Sequence, residues 1–124
     1  MHFTYESDRG LNFVRAYSSV EIIVGERTLR SSVIVAPHEL IADWPPRSVA
    51  ELTEEHVAPL MALDCEVVLL GTGRRQEFPP PAILAALARV GVGLEVMDTA
   101  AACRTYNVLL QEGRRVAAAL MLGV

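Results

Sequence analysis

The stretch from Val67 to Arg75 reads VVLLGTGRR: four apolar residues lead into Gly71-Thr72-Gly73, and two adjacent arginines follow. Residue types in this pattern can bind an anion. Glycines accept positive φ and leave backbone N–H groups unobstructed. Arg74 and Arg75 add forked donors that match carboxylate or phosphate. Two stricter readings fail on particular residues. A dinucleotide fingerprint needs a third glycine where Gln76 stands, and a helix that opens at once rather than beyond the prolines 79–81. A Walker phosphate loop needs Gly-Lys, and the chain contains no lysine. The plainer alternative is a tight strand-exit turn with two solvated arginines.

A second group lies on the segment from Asp98 to Asn107. On a helix, Thr99, Cys103 and Asn107 recur every four residues and share a face. A hydroxyl, a thiol and an amide on one face can line a pocket, and a thiol near a helix start can have a lowered pKa. A nucleophilic cysteine also needs a positioned base, and none of His2, His38 or His56 is singled out for that role. The favoured alternative is close helix–sheet packing through the small residues, with Asn107 bonding backbone. The candidate anion site therefore comprises Gly71, Thr72, Gly73, Arg74, Arg75, Thr99, Cys103 and Asn107, and no catalytic residue is assigned. Glu54, Glu55 and His56 read as a solvated helix start rather than acid–base machinery. Asp64 and Glu66 flank Cys65 with no partner that the sequence names. Trp44, before Pro45 and Pro46, reads as a loop anchor rather than a ligand platform.

Composition narrows the chemistry further. All 11 basic residues are arginine, which excludes a Schiff-base or general-base lysine. A formal net charge of −4 argues against nucleic-acid binding, which needs a basic footprint. Cys65 and Cys103 form no CxxC pair, and no Cys/His cluster has zinc spacing, so no metal or cofactor is assigned. The N-terminus MHFTYESDRG has no apolar signal core, no transit peptide is expected, and no window approaches membrane-spanning length. A soluble, cytoplasmic protein with reduced thiols, not inserted in a membrane, is expected. Its 124 residues, 52% of them hydrophobic, suit one domain over residues 1–124, with 1–12 as a loose lead-in.

These residues need elements to position them. Val20 to Val24 is β-rich, Gly25-Glu26-Arg27 turns, and residues 28–35 alternate, which predicts an antiparallel hairpin stopped by Pro37. Residues 38–50 read as a loop. Thr53 caps a helix to about Leu63, with a kink or early stop at Pro59. Glu66 to Leu70 is a strand buried on both faces. A helix starts at Pro80-Pro81, with an apolar stripe of Ile83, Leu84, Leu87 and Val90, and stops at Gly91. Gly93 to Met97 is a strand; Asp98 or Thr99 caps a helix to about Glu112; Arg115 to Leu122 is a final buried strand. Alternating strands and helices predict βαβ units and a mixed sheet.

Leu70-Gly71-Thr72-Gly73 after an apolar strand, the run GLEVMDTAAACRTYNVLL from Gly93 to Leu110, and EGRRVAAAL from Glu112 to Leu120 together carry a resemblance. With the 32–35 strand and the Trp44-Pro45 loop, the chain resembles, from residue 11 to 122, a family of small, largely uncharacterised bacterial and archaeal proteins. Its eukaryotic relatives include a mitochondrial assembly factor for respiratory complex I (NADH:ubiquinone oxidoreductase). The resemblance implies an α/β, three-layer fold: a central mixed β-sheet flanked by helices, plus an N-terminal antiparallel β-hairpin. It implies no enzymatic chemistry, and the assembly role belongs to the mitochondrial branch. The chain is therefore expected to be a non-enzymatic interaction or assembly factor. Its expected partners are proteins such as complex I subunits, and its expected place is the cytoplasm, peripheral to the inner membrane. The alternative is a small-anion binder or unrecognised enzyme with its site at Gly71–Arg75.

Overall fold

A computed structural model describes residues 10–123, so most of the expected lead-in, residues 1–9, lies outside the described residues. Strands β1 (Val14–Tyr17), β2 (Ile22–Val24) and β3 (Arg27–Leu29) form a small antiparallel sheet in that order. Gly25, at φ 59°, makes the β2–β3 turn. The predicted hairpin is present, but its second arm does not run unbroken from 28 to 35. The chain leaves the small sheet after Leu29, because Ser32 is fully buried and bonded elsewhere. Its hydroxyl accepts the Leu122 N–H at 3.0 Å, and its carbonyl accepts the Trp44 N–H at 2.8 Å. Strand β4 (Val33–Val35) then enters a second sheet with all three residues buried.

That second sheet has five strands in the order β5-β4-β8-β6-β7, with β5 Leu40–Ile41, β6 Val67–Gly71, β7 Gly93–Met97 and β8 Val116–Leu120. β8, β6 and β7 are parallel, and β4 runs antiparallel to β8 and β5, so the sheet is mixed as expected. β5 is a two-residue edge strand inside the segment read as loop.

Helices α1 (Glu54–Ala62) and α2 (Pro81–Ala88) cover one face, while α3 (Thr99–Gln111) and the small sheet cover the other. β8 divides its side chains between the two: Val116, Ala118 and Leu120 meet the α3 core, and Ala117 and Ala119 meet the α1/α2 core. A strand buried on both faces must be apolar throughout, which is why RVAAALML lacks alternation.

Local signals explain the helix ends. α1 passes through Pro59 and stops at Ala62, and His56 Nδ1 accepts the Thr53 N–H at 3.0 Å. α2 starts with Pro81 in its first turn, where a missing N–H costs nothing. Its buried residues are Ile83, Ala86 and Leu87; Leu84 and Val90 of the expected stripe are exposed. The spacing 83, 86, 87 is the tighter helical stripe, and Leu84 lies off it. Asp98 caps α3 by accepting the Ala101 N–H at 2.8 Å. Gly113, at φ 82°, ends that helix. Trp44 is an anchor: it is buried and its Nε1 donates to the His56 carbonyl at 2.9 Å.

Candidate functional site

Gly71 ends β6 directly beneath the start of α3. A Cβ there would stand 2.9 Å from Thr99 Cα, 3.0 Å from Thr99 Oγ1 and 3.1 Å from the Ala102 Cβ. Glycine at this position is a packing requirement, and its backbone does not take positive φ. Gly73 does, at φ 94°. The loop is then knitted to α3. Thr99 Oγ1 accepts the Gly73 N–H at 2.8 Å and donates to the Met121 carbonyl at 2.8 Å. The Thr99 N–H donates to the Gly73 carbonyl at 2.9 Å, and the Thr72 N–H to the Met97 carbonyl at 2.9 Å. The Thr72 hydroxyl donates to the Arg75 carbonyl at 2.6 Å and accepts the Glu77 N–H at 3.0 Å. Gln76 Nε2 caps the Val96 carbonyl on the open side of β7 at 2.9 Å. The amides of Thr72, Gly73 and Thr99 therefore fix the loop and are occupied by internal bonds.

The two arginine side chains stay open. Arg74 and Arg75 are exposed and have no side-chain partner among the described residues. They line a cleft of about 470 Å³ with Thr72, Gly73, Glu77, Asp98 and Ala100. Tyr17 at the end of β1, Ser18 and Ser19 of the β1–β2 turn, and Arg47 and Ser48 line it as well. Met121 and Gly123 complete the lining. Arg47 is held in two ways. Its N–H and guanidinium both bond Glu51, at 2.9 and 3.2 Å. Its carbonyl lies so close to Gly123 that a Cβ there would be 2.5 Å away. Arg47 keeps the Glu51 carboxyl below its usual range, chiefly through the backbone hydrogen bond. Arg47 and Ser48 lie in a segment whose sequence offers only a proline-rich loop, so sequence reasoning missed this part of the lining.

Cys103 and Asn107 do not reach the cleft. Cys103 is fully buried between α3 and the sheet, and burial pushes its thiol up to about 12. The helix start does not lower it, because desolvation of the thiolate outweighs the nearby charge of Arg104. Asn107 pairs with the small sheet, its Oδ1 accepting the Val14 N–H at 2.9 Å and its Nδ2 donating to the Val14 carbonyl at 2.8 Å. Tyr106, next to it, donates to the Asn12 carbonyl at 2.7 Å, and burial holds its phenol well above the usual range.

The acidic residues beside Cys65 do have partners. Arg115 meets Asp64 at 2.8 Å and Arg114 meets Glu66 at 3.3 Å, and the Arg114 bond is the main cause of the lowered Glu66 pKa. Cys65 lines a second cleft of about 370 Å³ with His38 and Glu39. Its Sγ donates to the Leu60 carbonyl at 3.9 Å, and burial raises its pKa. Neither thiol is therefore primed as a nucleophile. Among the described residues no group of three or more His, Cys, Asp or Glu side chains is placed to hold a metal ion.

Solved structures with this arrangement are known. The chain is 47% identical to a Xanthomonas campestris protein solved by NMR, with a TM-score of 0.79 over 89% of this chain and 83% of that one. It is 41% identical to a Bordetella parapertussis protein solved by crystallography, with a TM-score of 0.84 over 90% and 96% of the two chains. Over 111 residues it is 33% identical to the Bos taurus protein named NADH dehydrogenase [ubiquinone] 1 alpha subcomplex assembly factor 3. That match takes in 88% of this chain but 60% of the bovine protein, so the chain spans about three-fifths of that relative's length. The family model described as protein of unknown function (DUF498/DUF598) matches residues 14–121, and the chain belongs to that family.

Proposed function

We propose that this protein works by binding, as an interaction or assembly factor for a respiratory membrane complex, and performs no catalysis of its own. One observation carries the proposal: 33% identity, over 88% of this chain, to a protein named as a complex I assembly factor. The geometry agrees with it. Both thiols are pushed up by burial, and Thr72 and Thr99 spend their hydroxyls on internal bonds. The cleft offers guanidiniums, which bind and orient but do not take up protons at neutral pH. No helix among the described residues is long and apolar enough to cross a membrane. The experiment is affinity capture of the tagged chain from gently solubilised membranes of its own organism. Subunits of NADH:ubiquinone oxidoreductase are expected among the captured proteins; their absence above an untagged control refutes the proposal.

A further inference from the structure

The connections around β6 diverge. From β6 the chain passes to α2 on one face, whereas from its neighbour β7 it passes to α3 on the other. In an open α/β sheet this divergence opens a crevice at the carboxyl ends of the two strands, and such crevices are where ligands bind. The 470 Å³ cleft lies there, within the ~300–1,000 Å³ range of small-molecule sites. Arg74 and Arg75 line it without a carboxylate partner among the described residues, in a chain whose net charge is −4. Arg47 lines the same cleft and uses one guanidinium nitrogen on Glu51, leaving further donors free. Asp98 turns its carboxylate to the Ala101 N–H, which leaves Glu77 as the cleft carboxylate with no bonded partner among the described residues.

We propose that this cleft binds a small soluble anion, a phosphate- or carboxylate-bearing metabolite, through the guanidiniums of Arg47, Arg74 and Arg75. The Thr72 and Gly73 amides do not take part, since the Met97 carbonyl and the Thr99 hydroxyl already hold them. The cleft is a ligand site independent of the assembly role.

The test is amide-resolved NMR titration of the 13.5 kDa chain with inorganic phosphate and, separately, malonate, at ionic strength held constant with chloride. Saturable shifts are expected at Gly73, Arg74, Arg75 and Ser48. The R74A/R75A variant should bind about tenfold more weakly or worse, as expected for lost charge-assisted hydrogen bonds. Glu77→Gln should bind about threefold more tightly, because it removes a competing charge at an exposed site. Arg27→Ala, which removes an exposed arginine outside the cleft, should change nothing. Both cleft variants alter exposed side chains, and their amide spectra report the fold directly. Shifts that do not saturate, or that persist undiminished in R74A/R75A, overturn the proposal. So does binding to anionic phospholipid vesicles without binding to either free ion.

Discussion

Gly71→Ala tests the packing at the heart of the molecule. β6 is hydrogen-bonded on both sides, to β7 and β8, so it cannot retreat from an added methyl. α3 must move instead. A carbon 2.9 Å from Thr99 Cα has to gain roughly 0.6 Å to reach a normal contact of ~3.5 Å. The Ala102 Cβ at 3.1 Å resists the same movement. Overpacking of this kind costs about 1–3 kcal/mol. The displacement also stretches the Gly73–Thr99–Met121 hydrogen bonds, each worth roughly 1 kcal/mol. For a domain of this size the thermal midpoint should fall by about 5–15 °C. Gly93→Ala is the control. It makes the same substitution in the neighbouring strand, but the nearest atom to its added Cβ is the Glu66 carbonyl oxygen at 3.7 Å, an ordinary contact. Restricting the unfolded chain should make it neutral, or stabilising by about 0.4–1 kcal/mol. Differential scanning calorimetry of both variants is the assay. Midpoints equal within about 1 °C would refute the claim that Gly71 is there for helix approach.

Asn107→Asp keeps an acceptor for the Val14 N–H but sets a second acceptor against the Val14 carbonyl. It should cost about 1–3 kcal/mol and lower amide protection in β1 and β2 before the five-stranded sheet; hydrogen exchange unchanged in β1 and β2 would contradict the pairing. Cys103 sits at about 12 in the folded protein and at ~8.5 when exposed in an unfolded chain. Its contribution to stability is therefore complete below pH ~8.5 and is lost as pH rises towards about 12, by at most ~1.4 kcal/mol per pH unit. Urea midpoints across that window should fall less steeply in Cys103→Ala, and identical slopes would rule out a buried thiol as the cause.

Much of the second half was legible because its signals are local. The apolar run before Gly71, the Asp98 cap and the glycines 91 and 113 each mark a boundary by their own chemistry, and those elements fall where the residues predict. The first half depends on distant partners. Residues 28–35 alternate like one strand, but Ser32 is claimed by Leu122, ninety positions away, and the run is divided between two sheets. The site shows the same division. Arg74 and Arg75 declare themselves by type, and Thr99 by its place at a helix start. Whether Thr99 spends its hydroxyl on Gly73 and Met121 is decided by the depth at which α3 packs, and only Gly71 hints at that depth. Arg47 reaches the cleft because Gly123 lets the two backbones touch, a contact between distant segments that no local pattern encodes.

The most direct measurement is the amount of assembled NADH:ubiquinone oxidoreductase on native gels from three strains: one lacking this protein, one restored with the normal chain and one restored with Cys103→Ala. A binding role predicts less complex in the first strain and recovery in both others, since the thiol only packs the core. Undiminished complex in the deletion strain, or failure of a folded Cys103→Ala chain to restore it, would contradict that role.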